Sequence, residues 1–308
     1  MQIQKKDVLY GEFSRFNPVT MHVKSGEVFQ VETELNSGSW LKKIDDIYHP
    51  SKVEIINSVS GCIEIEGAKA GDMLKIDIID INLNDLGYTG WDVNFNPFPD
   101  WIREKEWGTV TKTVKVEGGF VLWGNGVKIP VKPMIGIIAT APAWGCPTTP
   151  DLGDFGGNMD VQEATIGNSL YLPVFVDGGH LMVGDVHAVQ GDGEVCCGGG
   201  IEIASTVTLR TTVMTKPSSM RFPRFESDKW IATTGISGQM EEACRIAIRE
   251  LVNWMTEDYG FTQPNALLLL GQVMEMRCTQ IVDPKYTFLA KINKEYLKAV
   301  NDAKIFQV

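Results

Sequence analysis

Apolar and polar residues alternate with a period of two over several short stretches in the first part of the chain. Val19–Val23 gives way to the turn Lys24-Ser-Gly-Glu27, and Val28-Phe-Gln-Val-Glu32 then alternates as a half-buried strand does. Cys62-Ile-Glu-Ile-Glu66 repeats the pattern, Gly67-Ala-Lys-Ala-Gly-Asp72 reads as a turn, and Met73–Ile81 is a longer strand. Residues 84–131 are predicted to be irregular and are rich in aromatics: Trp91, Phe95, Phe98, Trp101, Trp107, Phe120 and Trp123. Such a segment suits a loop covering a site and restricting it to small substrates, against the plainer role of core filling. Pro133–Pro142 follows as a nearly continuous apolar strand.

From Phe155 to Arg210 the texture differs. Two apolar runs, Leu170–Val176 and Leu181–Val183, lead into a Gly-punctuated polar stretch, Gly184–Glu194, that holds Asp185, His187, Gln190, Asp192 and Glu194. A third apolar run, Gly200-Ile-Glu-Ile-Ala204, carries Glu202. Beyond it, Trp230–Thr234 reads as a strand, and helical spacing starts after Ser237 and ends near Tyr259-Gly260. A second helix is expected from Thr262, its N-cap, to about Cys278, with Pro264 tolerated in the first turn. Tyr286–Ile292 reads as a strand and Asn293–Ala303 as a short charged helix. The expected class is therefore mostly β with an α+β portion. A β body over residues 1–215 carries the site, and residues 216–308 form the C-terminal portion. No βαβ alternation points to a doubly wound sheet.

Composition narrows the partners. With 308 residues, 44% hydrophobic and 22% charged, the chain reads as an ordinary globular protein. Its net charge of −11 argues against nucleic acid, which needs clustered Lys and Arg. The N-terminus lacks a signal-peptide pattern, and apolar runs such as Ala266–Leu270 are too short to span a membrane. Cys62, Cys146, Cys196, Cys197, Cys244 and Cys278 form no C-x-x-C pair, so reduced thiols and a cytoplasmic location are expected.

The acids and the histidine carry the candidate chemistry. Asp185 and His187, at i and i+2 of a strand, share one face, and with Asp160 they suit a divalent metal. The plainer alternative is a hydrogen-bonded Asp–His pair closing a loop. Glu194 is the candidate general base, with Glu202 seconding it, and His187 belongs to the same catalytic group. Asp192 reads as a turn residue capping its own backbone. Gly156, Gly157 and Asn158 offer backbone N–H groups to an oxyanion, and Gln190 completes the substrate-binding set with Gly157 and Asn158. The segment Gln190-Gly-Asp-Gly-Glu194 superficially suggests calcium but lacks the regular ligand spacing. The cysteines read as small buried residues, since an acid-rich surround raises a thiol pKa.

At Gly156-Gly-Asn-Met-Asp160, Tyr171-Leu-Pro-Val, Gly184-Asp-Val-His-Ala188, Gln190–Glu194 and Ile201-Glu-Ile-Ala the chain closely resembles the acetamidase/formamidase family. Gly61–Ala68 with Gly71-Asp72, Pro133-Met-Ile-Gly-Ile-Ile and Gln280-Ile-Val-Asp283 extend the resemblance over most of the chain. It implies a jelly-roll-like β-sandwich, often in a homodimer, that hydrolyses a small linear carboxamide of the formamide or acetamide kind to carboxylate and ammonia. It also implies a divalent metal, commonly zinc, with calcium as the alternative. The chain departs from the family at two positions where members often carry His, Phe155 and Asn57. A non-catalytic small-molecule binder on the same scaffold and a cyclic-amide (lactam) hydrolase are the rival readings.

Overall fold

The computed structural model describes residues 1–196 and 198–298. Its spine is a pair of long strands, Asp72–Trp91 and Gly200–Thr215, that run antiparallel from Glu202 opposite Tyr88 to Thr215 opposite Asp72. Asp72–Trp91 alternates in burial over part of its length, whereas Gly200–Leu209 is buried on both faces at all positions but Thr206. On the Gly200–Thr215 strand lie Val28–Thr33 and Leu181–Gln190, and on the latter lie Val59–Glu66 and Met134–Ala139. The result is a large, curled, mainly antiparallel sheet, as the alternating sequence predicts. Its principal core joins Phe29, Ile63, Leu74, Ile135, Val183 and Val207.

After residue 215 the chain forms a three-stranded antiparallel unit of Trp230–Ser237, Tyr286–Asn293 and Glu275–Gln280. The helix Met240–Tyr259 packs Ala247, Leu251 and Met255 against Ile231, Ala290 and Ile292 of two of those strands. It stops at Gly260, whose φ of 73° is the left-handed conformation that glycine adopts without strain. The second helix, Gln263–Val273, starts as expected, with Thr262 Oγ1 accepting from the Asn265 N–H. No helix among the described residues is long and apolar enough to cross a membrane.

Three expectations need correction. Residues 84–131 are not irregular: the Asp72–Trp91 strand extends through Trp91, and Val110–Glu117, Phe120–Gly124 and Val127–Pro130 form further strands. Val110-Thr-Lys-Thr-Val-Lys-Val alternates, and Gly118-Gly119 and Asn125-Gly126 are its turns, a signal that the aromatic residues obscured. Gly184–Gln190 continues the Leu181 strand, so Asp185 and His187 stand at i and i+2 of a strand as expected. The second helix ends at Val273 rather than near Cys278, because Glu275–Gln280 is claimed by the ladder with Tyr286–Asn293. The C-terminal helix is a single 3₁₀ turn at Lys294–Leu297 within the described residues, and residues 299–303 lie outside them.

Candidate active site

The site is built where the Leu181–Gln190 strand is gripped on both sides. Ile135 pairs with Val186 and Ile137 with Gly184, which leaves Gly136 facing Asp185. A Cβ on Gly136 would lie 2.5 Å from Asp160 Oδ1 and 2.8 Å from Asp185 Oδ2, so glycine is what lets two carboxylates approach this strand. On the other side His187 lies opposite Glu202, and a Cβ on Gly200 would sit 2.3 Å from His187 Nδ1. Asp160, Asp185 and Glu194 have φ of 48°, 52° and 40°. Backbone held in that sparsely populated region costs on the order of 1–3 kcal/mol per residue and marks functional sites.

His187 is fully buried and its tautomer is fixed by its neighbour. Gln190 Nε2 donates to the carbonyls of Asp160 (2.9 Å) and Thr279 (3.1 Å). Its Oε1 is thereby aimed at His187 Nδ1, 2.9 Å away, which must donate. Nε2, across the ring, faces Glu202 Oε1 (3.3 Å) and Asp185 Oδ1 (3.7 Å). Asp160 Oδ1 stands on the other side, 3.9 Å from Nδ1, beside Glu194. Asp283 closes the group, with Oδ1 accepting from Asn158 Nδ2 at 2.9 Å. The Gly191–Glu194 turn is pinned to the C-terminal segment by Gly193 N–H to Cys278 O (3.0 Å) and Ile281 N–H to Gly193 O (2.9 Å).

Burial and mutual charge shift the pKa values of Asp160, His187, Glu194, Glu202 and Asp283 in this space. Burial drives the Asp160 carboxyl up to about 6, with Asp185 adding to it, and the Glu202 carboxyl up to about 8. Glu194 and Asp283 are held well above the carboxylate range by burial and then by Asp160. Burial opposes the His187 imidazolium, but the Glu202 and Asp185 carboxylates outweigh it and hold its pKa well above the usual value. The buried atoms Asp160 Oδ1 and Oδ2, Asp185 Oδ1, His187 Nε2, Glu194 Oε2, Glu202 Oε2 and Asp283 Oδ2 have no hydrogen-bond partner. Buried polar atoms are rarely left so, and one imidazole nitrogen among carboxylate oxygens is the donor set of a divalent cation. Two sets lie within 4.8 Å: Asp185, His187 and Glu202, and Asp160, His187 and Glu194. In the first, the Nε2 that Gln190 leaves open lies 3.3 Å from Glu202 and 3.7 Å from Asp185.

The polar residues open on a cavity of about 620 Å³ that Asn158, Asp185, Glu194, Glu202 and Asp283 share with Tyr88, Trp91, Phe95 and Val110. Other expected site residues lie elsewhere. Gly157 does not line the cavity: a Cβ there would meet Asp151 O at 2.4 Å, and the residue pairs with Ile138 and Leu152. The Asn158 N–H donates to Asp151 O at 3.1 Å, so the oxyanion role expected of these amides is taken by the fold. Gln190 is also outside the lining and acts on His187 instead. Asp192 points outward to Arg277 Nε at 3.1 Å. Burial pushes the thiols of Cys62 to about 12 and Cys278 to about 11 and raises that of Cys196, so none of these three is a ready nucleophile. The arrangement can bind a cation, hold a proton between carboxyls and present a polar group to a small ligand.

The model of the Acetamidase/Formamidase family matches residues 4–152 and 139–292. The chain belongs to that family. A solved acetamidase from Bacillus halodurans superposes with a TM-score of 0.89 at 26% identity, over 97% of this chain and all (100%) of that one. An acetamidase from Yersinia enterocolitica gives 0.89 at 29% identity, over 97% of this chain and 93% of the other. A formamidase from Methylophilus methylotrophus is 27% identical over 247 residues, 63% of this chain and 61% of its own length. The chain thus spans about three fifths of the length of the formamidases it matches.

Membership gives the two departures a structural meaning. Phe155 is buried beside Phe13, with ring centroids 5.4 Å apart, in a cluster with Ile137, Ala139 and Met182, away from the cavity. Asn57 does line the cavity, at a φ of 51°, and its N–H donates to Asn36 O. Asp283 is not among the acids that the local sequence pattern groups together; its one sequence signal is the family-like segment Gln280-Ile-Val-Asp283.

Proposed function

We propose that the protein hydrolyses a primary carboxamide to the carboxylate and ammonia, formamide and acetamide being its simplest forms. The observation that carries this reading is the set of unpartnered buried donors around His187, fixed by Gln190, in a chain of this family. Asp185, His187 and Glu202 would hold a divalent cation, and an imidazole nitrogen among carboxylates favours zinc over calcium, which prefers oxygen alone. When bound, the cation supplies polarisation of the amide carbonyl and a lowered pKa for bound water.

The remaining residues divide the work. Glu194 takes a proton from the attacking water and delivers it to the leaving nitrogen, a role suited to a carboxyl held well above its usual range. As the water oxygen bonds to the carbonyl carbon, the C–N bond breaks and the nitrogen leaves as ammonia. Asp160 and Asp283 surround Glu194 and keep a proton within the group. Asn158 Oδ1, buried and without a partner, accepts from the substrate N–H. Compared with the sequence reading, Glu202 becomes a ligand rather than a second base, and Asp160 an acid-group member rather than a ligand. A cytoplasmic homodimer belongs to the same reading.

Glu194→Gln tests it. Ammonia release from acetamide should fall at least about a hundredfold, the usual contribution of a general base, while zinc content is unchanged. Undiminished release would remove Glu194 from the mechanism.

A further inference from the structure

The cavity of about 620 Å³ lies within the roughly 300–1,000 Å³ of pockets that enclose drug-sized ligands. Acetamide would fill a small part of it. Ionisable groups gather around His187, whereas the wall beyond them is mainly aromatic and aliphatic, with Glu54, Asn57, Asp92, Asn94 and Thr148 set among those residues. Tyr88, opposite Glu202 in the ladder, stacks with Tyr48 at 6.1 Å between centroids, and Trp40 packs against both at 4.9 and 6.0 Å. Trp91 lies opposite Val110, and Phe95, half exposed, stands at the same cavity.

Several polar groups of this wall already have partners. The Tyr88 hydroxyl donates to Asn36 Oδ1 and lies 2.7 Å from Ser37 Oγ. Trp91 Nε1 donates to Gly108 O at 3.0 Å, and Asp92 Oδ1 accepts from the Asn94 N–H at 2.7 Å. Among these polar side chains the wall offers a ligand ring faces and methyl groups, which gain only from apolar contact. Trp91 and Phe95 therefore line the site instead of narrowing it to the smallest amides.

We infer that the acyl group of the substrate is apolar and of aromatic size. The substrate class is an arylalkyl carboxamide, its amide on the acid cluster and its ring among Tyr48, Trp91, Phe95 and Val110. This rests on reading the cluster as a centre of amide hydrolysis.

The test compares ammonia release from phenylacetamide and acetamide with zinc supplied, and follows tryptophan fluorescence as each amide is added to Glu194→Gln. Phenylacetamide should have a kcat/KM at least about tenfold higher, since even one methylene in a fitted pocket is worth that much. Val110→Trp, which fills the ring's place, should bring the ratio towards one. Phe95→Ala, at a half-exposed site that tolerates truncation, should lower it several-fold. Acetamide turned over as well as phenylacetamide overturns the acyl pocket and leaves amide hydrolysis standing. Release from neither amide overturns the hydrolase reading, and fluorescence then judges the pocket alone. Quenching by phenylacetamide where acetamide has no effect supports it, and no quenching by either overturns it.

Discussion

Phe155 and Asn57 show how little a position in sequence says about where a side chain points. Phe155 adjoins the Gly-Gly-Asn motif, so by position alone it reads as an altered site residue. Its ring instead fills an apolar cluster with Phe13 and Met182, while Asn57 faces the cavity. Phe155→Leu should therefore cost about 1–2 kcal/mol in chemical denaturation, through lost packing, and leave zinc affinity within twofold. A tenfold loss of affinity would place Phe155 in the site after all. Asp185 and His187 were legible because i and i+2 spacing survives into the structure. Asp283 was not, since nothing local links it to residues far upstream.

At the scale of elements, the Leu181–Gln190 strand was half read. Its apolar start is plain, and the spacing of Asp185 and His187 puts both on one strand face. The sequence gives no sign that so much charge is buried, because burying charge is costly. Functional sites are where that rule gives way, and here neighbouring strands enclose the cost. Gly136 belongs to the same device: it was visible only as a member of an apolar run, while its purpose is to admit two carboxylates across the ladder. Gly136→Ala should weaken zinc binding by at least about tenfold, as misplaced ligand support does, and depress ammonia release with it. Wild-type affinity in that variant would show that the strand has more slack than its contacts allow. The strands between Val110 and Pro130 were missed for a different reason, aromatic residues having outweighed clear alternation and turn signals.

Across the whole molecule, the β body and the C-terminal portion meet at this charge cluster, so its titration should register in global stability. Asp160 and Glu202 hold protons up to about 6 and about 8, whereas an unfolded chain releases them near 4. His187, also raised, adds stability below its unfolded pKa that is lost as pH climbs through the folded value. Both effects have one sign: the folded state binds more protons, so stability falls as pH rises. In chelator, the melting temperature should drop by several degrees between pH 5 and pH 8. With zinc the drop should shrink or reverse, because binding favours deprotonated ligands. A flat profile in chelator would mean that the cluster is less enclosed than its geometry indicates.

The central claim, a metal-dependent amide hydrolase built on Asp185, His187 and Glu202, is tested most directly by ammonia release before and after chelation. Acetamide and phenylacetamide are given to the purified protein, to the same protein dialysed against chelator, and to that sample with zinc restored. The account predicts release, its loss on dialysis and its return with zinc. Release that chelation leaves untouched, from a sample shown to be metal-free, would contradict it.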